Sequence, residues 1–411
     1  MLFTALHRLL GEAPGPITDA LIDAAIAAGL TETDDLDWKA ALPPTKGLAE
    51  TDFPKDIAAM ANSGGGVIVY GIEESEKRAT GRKAVSLTEN HERTLRAAAL
   101  SSIAPPVFGL EIWAVGNPGN QVVALVVPAS VDGPHLIYRD QFFGAPIRND
   151  ADTVWMKERQ IEQTYRARFD ERSHSAEALT NLRAEAGQGR DSQLRAWLIA
   201  VARPRVPFTP PERPSKEDVQ KIVDRARNYT LNWIGSGGVH PIVSLAHNPR
   251  PGLRRWNLIN SADGKSVWRE SWAAIHHDGS VTLATAIGGQ RTNRDELPGW
   301  QISAQAIEAA VADFMALVRA VSDHHGLGEY EVQVAIDYDG PKSLLIVTID
   351  GNGFRYDGTS VPLTVYSPVS TTVQAGASSG EFYRQMYALA EDCVNQGGIS
   401  NLLLIPAPPE S

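Results

Sequence analysis

The chain reads as an α/β N-terminal domain with a mixed sheet, followed by an α+β C-terminal domain. Three observations carry that reading. At 411 residues the chain is two to three times the usual single-domain length, so more than one core is expected. The segment FPKDIAAMANSGGGVIVYGIEE (53–74) couples a helical pattern to a glycine turn and a short apolar strand. A tract with five prolines, RPRVPFTPPERP (203–214), favours an extended crossing between two bodies.

The elements follow in order. Helices are expected at 2–10 and 18–28, the second after Gly15-Pro16 and closed by Gly29; together they form a helical cap. From Asp35 the period changes to two, with Leu36, Trp38 and Ala40 on one face and Asp35, Asp37 and Lys39 on the other: a half-buried strand. Phe53, Ile57, Met60 and Ala61 then recur at helical spacing, with Pro54 suited to a first turn. Residues 62–66 end that helix, and 67–70 form a buried strand running into Gly71 and two glutamates. A helix over 92–103, a hairpin of 108–115 with 121–127, a strand within 142–148 and a closing helix over 156–168 complete a domain of residues 1–172.

Residues 173–214 read as a helical and Pro-rich linker, and 215–411 as an α+β domain of unassigned role. In the latter, a helix over 216–233 starts at the box Ser215-x-x-Asp218. Strands are expected near 253–259 and 280–287, a long amphipathic helix over 303–322, a pair of strands near 330–337 and 344–350, and a last helix over 380–395.

Composition excludes several classes. A net charge of −11, and 17 basic against 24 acidic residues in 1–172, rules out coating of nucleic acid by bulk charge, so any such site must be local. One cysteine excludes an intramolecular disulfide, and no apolar run approaches about 20 residues. Residues 1–10 lack the basic start and small-residue cleavage site of an export signal, so a cytoplasmic protein is expected. Oligomeric state stays open.

The glycines 64–66 invite a phosphate-cradle reading, but a helix precedes them, a strand follows, and no lysine comes after; ATP binding through this loop is set aside. The plain alternative is a helix end joined to a tight turn. His276-His277 and His324-His325 lack further ligands at metal spacing, so zinc is set aside too. Cys393 continues the apolar stripe of Phe382, Met386 and Leu389 and is expected in a core.

Glu32-x-x-x-x-Asp37-Trp38-Lys39, then Asp56 to Gly66 (DIAAMANSGGG), then Gly71-Ile72-Glu73-Glu74 resemble, in order, the core of the Schlafen AlbA-like domain, here of a bacterial member. Ile103-Ala104-Pro105-Pro106, the stretch 126–130 leading to Pro134-His135, and Arg148 extend the likeness, which covers roughly residues 30–168. The resemblance implies a metal-dependent ribonuclease acting on structured RNA such as tRNA, in a defence or stress setting. Carried over position by position, its three metal-holding carboxylates fall on Glu32, Asp37 and Glu74. Asp37 stands where the family usually has Glu, and Glu74 where it usually has Asp. The chemistry suits Mg²⁺ or Mn²⁺, which bind carboxylate oxygen and supply charge stabilisation and an activated water.

Lys39 shares the strand face of Asp37 and could pair with the acids or touch a phosphate. Lys77, Arg78, Arg82 and Lys83, with Arg148, form the candidate nucleic-acid-binding set. The competing readings are a solvated acidic face and charged hairpin tip, and a non-catalytic RNA- or DNA-binding or transcription-regulatory module that kept the fold without the metal.

Overall fold

The structure is a computed structural model, and it describes residues 3–139, 142–208, 210, 213–234, 240–245, 248–259, 270–290, 296–350, 352–358 and 360–409. It divides into two compact units, Met1–Ser173 and His174–Ser411.

The first unit opens with α1 (Ala5–Leu10) and α2 (Asp19–Ala27), the latter capped by the Thr18 hydroxyl, which accepts from the Leu21 N–H. There follow β1 (Leu36–Lys39), α3 (Phe53–Asn62), β2 (Gly66–Tyr70), the hairpin β3 (Ile72–Ser75) and β4 (Arg78–Arg82), and α4 (Glu89–Ser101). Then come β5 (Ile103–Ala104), β6 (Glu111–Val115), β7 (Val122–Val127), β8 (Leu136–Arg139), β9 (Phe142–Gly144), β10 (Pro146–Asn149), β11 (Asp152–Trp155) and α5 (Glu158–Gly187).

The central sheet runs β1-β2-β7-β6, with β1 and β2 parallel and the other pairs antiparallel. It is mixed because β1 returns to β2 through α3, whereas β6 and β7 join by a hairpin. Helices cover both faces. Leu6, Ile22, Leu36, Trp38, Val67 and Val69 pack on the α1–α2 side, while Phe53, Ile57, Ile68, Tyr70, Leu95 and Leu125 pack on the α3–α4 side. The helical cap is therefore a full layer. The β1 strand, expected to be half-buried, is buried on both faces: Asp37 is 2% exposed because α3 lies over the face that alternation had assigned to water.

The turn between α3 and β2 explains its glycines sterically. Gly65 has φ +90°, and a Cβ there would lie 2.7 Å from the Ala129 nitrogen and 2.8 Å from the Val127 oxygen. At Gly66 a Cβ would meet the Asp35 carbonyl at 2.9 Å. The chain passes too close to β7 and β1 for any side chain.

The second unit contains β12 (Trp197–Pro204), α6 (Lys216–Ile234), α7 (Pro241–Ser244), β13 (Arg250–Gly252), β14 (Arg255–Ile259), β15 (Ser271–His276), β16 (Val281–Ala286) and β17 (Gln301–Ser303). It continues with α8 (Ala304–His325), β18 (Glu329–Asp337), β19 (Leu345–Ile349), β20 (Arg355–Tyr356), β21 (Val369–Gln374) and α9 (Ser379–Asn395). Its main sheet, β13-β14-β15-β16-β12-β18-β21, is antiparallel throughout. On one face α6, α8 and α9 build the larger core; on the other, Leu179 of α5 packs with Trp197, Ile199, Val201 and Ala284.

Three expectations change here. The expected linker 173–214 holds the second half of α5 and all of β12, the strand between β16 and β18. Its continuous apolar run has the signature of a strand buried on both faces, which the prolines after it obscured. The expected strand pair 330–337 and 344–350 does not pair with itself: β18 joins β12 and β21, whereas β19 joins β17 and β20. The single strand expected within 142–148 is two, β9 and β10, in different sheets. Ser215 and Asp218 form the expected box at the start of α6. Among the described residues no helix is long and apolar enough to cross a membrane; α8 carries Glu308, Asp313, Arg319 and Asp323.

Candidate functional site

The acidic cluster is assembled by β1, the segment before it, and the first turn of α3. Leu36 and Trp38 point into the α1–α2 core, which turns Asp37 and Lys39 toward α3, opposite Ile68 and Tyr70 in the parallel register. Asp56, in the first turn of α3, is 7% exposed and faces them. The Lys39 ammonium lies 2.8 Å from Asp37 Oδ2 and 3.8 Å from Asp56 Oδ2. Burial works against the charge on Lys39, but the two carboxylates outweigh it and raise its pKa.

Glu32 enters from the chain before β1. Its N–H donates to the Lys77 carbonyl at 2.8 Å, tying it to the β3–β4 hairpin, and its Oε1 accepts the Trp38 N–H at 3.1 Å. Burial, and then the nearby Asp37 carboxylate, push the Glu32 pKa up to about 7, with Glu74 acting in the same direction. Burial pushes Asp56 up to about 6, with Lys39 opposing.

Arg148 closes the cluster from β10. Its guanidinium donates to Asp37 Oδ1 at 3.2 Å and to the Thr33 carbonyl at 3.1 Å, and its side chain is 3% exposed. It is an internal counter-ion, buried away from any phosphate on the surface. Arg82 is likewise inside: it spans Asp19 and Asp23 of α2 at 2.7 and 2.8 Å and donates to the Asn120 carbonyl. Lys77 pairs with Asp152 at 2.6 Å on the surface. Arg78 and Lys83 are exposed. Of the five cations in the expected binding set, the fold pairs three with its own acids, Arg82 and Arg148 inside and Lys77 on the surface.

Glu32 and Asp37 are thus brought together, and Glu74, exposed on β3, lies within their electrostatic reach. Among the described residues no set of three His, Cys, Asp or Glu side chains converges at metal-holding spacing. The donors do fit a smaller requirement. Mg²⁺ commonly uses one or two carboxylates and completes its shell with water and substrate phosphate. Asp37 Oδ2 is a buried oxygen that accepts no well-aligned hydrogen bond among the described residues, despite the nearby ammonium.

Two residues not singled out as site residues in the sequence prove central. Asp56 supplies the second acid facing Lys39. Asn62 clamps two segments to the end of α3: its Nδ2 donates to the His135 and Pro146 carbonyls, and its Oδ1 accepts the His135 N–H at 2.7 Å. Next to it, Ser63 Oγ accepts the Arg148 N–H at 2.8 Å. His135 in turn donates from Nδ1 to the Pro105 carbonyl, which leaves Nε2 to accept the Ser130 hydroxyl. The signal for Asn62 was a polar residue between an apolar helix and a glycine run, and for Asp56 an acid in the first turn of that helix.

The clamp ties together the segments that carry the family likeness. Residues 32–157 match the family model Schlafen, AlbA_2. The AlbA_2 match contains the whole acidic cluster, Asn62 and Arg148, and lies inside the 30–168 expected from the motifs. No curated protein matches the chain. Among solved structures, the DIP2311 protein from Corynebacterium diphtheriae is similar at 16% identity over 53% of this chain and 36% of its own, with a TM-score of 0.26. The N-terminal domain of a protein from Nitrosomonas europaea, named as related to the ATP-dependent DNA helicase RecG, is similar at 12% identity over 38% of this chain and 94% of its own, with a TM-score of 0.25. The chain spans about a third of the length of the first of these.

Proposed function

We propose that the AlbA_2 region is a nucleic-acid-directed domain and that it hydrolyses phosphodiester bonds at the Glu32–Asp37 pair. The observation that carries this reading is a pair of nearly buried carboxylates within electrostatic reach of each other, one of them holding its proton up to about pH 7, beside a partly exposed cation. Glu32 and Asp37 would hold Mg²⁺ or Mn²⁺, with Glu74 at the solvent side. When bound, such an ion polarises the phosphoryl oxygen and lowers the pKa of its water.

The chain's own groups then have separate tasks. Arg148 and Lys39 hold and orient the Asp37 carboxylate from two sides. The Trp38 N–H fixes one oxygen of Glu32, leaving the other for cation or water. Lys39, a third exposed along its side chain, is the cation nearest to where phosphoryl charge develops. Exposed Arg78 and Lys83 supply backbone contacts to phosphates. Structured RNA is the substrate class this reading favours.

One observation favours a second reading, a nucleic-acid-binding module without chemistry: Asp37 is already served by two cations. Gel-shift and cleavage assays on one structured RNA, with Mn²⁺ or with chelator, separate the two. Binding with Mn²⁺-dependent cleavage supports hydrolysis. Binding without cleavage in either buffer supports the module, and neither binding nor cleavage overturns both.

A further inference from the structure

The second unit holds a cavity of about 270 Å³ on the sheet face that α5 only partly covers. Its walls include Gln188 and Arg190 after α5, Arg255 and Asn257 of β14, Trp272 of β15 and Thr282 of β16, and its floor includes Ala274 and Ala284. Arg190 stands out among them. Its guanidinium carbon lies 4.3 Å from the Trp272 ring centre and 5.5 Å from that of Trp197. Its Nε is buried and has no hydrogen-bond partner among the described residues.

The neighbouring charges are already committed. Arg255 pairs with Glu185, and Glu270 serves Arg195 at 3.6 Å and the Trp272 indole N–H at 2.9 Å. No described carboxylate is at ion-pair distance from Arg190, and Glu270 acts on it only from further off, so a cation is held half-buried on two aromatic faces with no anion in contact. Stacking on the two rings offsets only part of that desolvation. Burial accordingly depresses the Arg190 pKa.

We propose that this cavity binds a small phosphate monoester of mononucleotide size, with its phosphate on Arg190. A guanidinium fork matches an oxyanion in two places at once. Gln188, Asn257 and Thr282 add more donors than the two oxygens of a carboxylate need, whereas a phosphate presents three. The space is many times the roughly 10–15 Å³ that one water occupies, so a bare phosphate would leave it mostly empty. Ala274 and Ala284 offer the organic body an apolar floor. This site is independent of the acidic cluster of the AlbA_2 region.

The test is calorimetric titration of the full chain with uridine and adenosine 5′-monophosphates, inorganic phosphate and a dicarboxylate. A nucleoside monophosphate should bind the wild type, at least about tenfold tighter than inorganic phosphate. Affinity should fall at least about tenfold in Arg190→Gln, and also in Ala274→Leu, which fills the floor and leaves the guanidinium in place. Circular dichroism confirms that each variant is folded. No binding by either monophosphate, equal affinity in wild type and Ala274→Leu, or tighter binding of the dicarboxylate would overturn the proposal.

Discussion

Lys39 sits between two acids of different elements, 2.8 Å from the Asp37 carboxylate of β1 and 3.8 Å from that of Asp56 on α3. One ammonium therefore ties the strand to the helix that follows it, and it is the partly exposed member of an otherwise buried set.

Replacing that ammonium leaves Asp37 to Arg148 and removes the cation that faces the buried Asp56. Lys39→Met is expected to destabilise the protein by about 1–3 kcal/mol, below the roughly 3–5 of a fully buried pair because the lysine is partly solvated. Urea unfolding at pH 7 measures this. A change under about 0.3 kcal/mol would show the pair to be incidental.

The acids impose a pH dependence whose sign follows from raised values. Glu32, at about 7 in the fold against an ordinary 4.5, and Asp56, at about 6 against 3.8, hold protons more tightly folded than unfolded. Their contribution is fully present below about pH 4 and is lost as pH rises through 6 to 7. Stability should fall between pH 5 and pH 8, and Glu32→Gln should flatten that fall. Urea midpoints at four pH values decide it; a rise across this window in the wild type would contradict the assignment.

Gly65 tests the steric account of the glycine run. Gly65→Ala combines a left-handed backbone with contacts of 2.7 and 2.8 Å to main-chain atoms of the β7 end. A loss of roughly 2–5 kcal/mol is expected. A glycine serving only a ligand would give an alanine variant of unchanged melting temperature.

In the second unit, Glu308 of α8 is fully buried and accepts the N–H groups of Leu403, Leu404 and Ile405. It pins the C-terminal segment to the helix. Glu308→Ala should cost at least about 3 kcal/mol and expose the segment after 400 to protease, while Glu308→Gln, which keeps an acceptor, should cost less. Limited proteolysis distinguishes them.

The sequence made the local elements legible wherever period and punctuation agreed: α3 with Pro54, the Gly64–Gly66 turn, the Ser215–Asp218 box. It also marked Glu32, Asp37 and Lys39 as neighbours in a motif. Non-local pairing was illegible. Nothing along the chain says that Arg82 will be consumed by Asp19 and Asp23, or Arg148 by Asp37, because these partners are between 59 and 111 residues apart. The same holds for β12, whose neighbours β16 and β18 come from far downstream. Alternation put Asp37 in water because it cannot see α3 arriving overhead.

The central claim is chemical, and one measurement bears on it most directly: the Mn²⁺-dependent cleavage rate of an end-labelled structured RNA by the wild type and by folded Glu32→Gln and Asp37→Asn. The account expects the wild type to cut and each variant to lose at least about a hundredfold while still binding the RNA. Equal rates in all three, or intact RNA throughout, would contradict it.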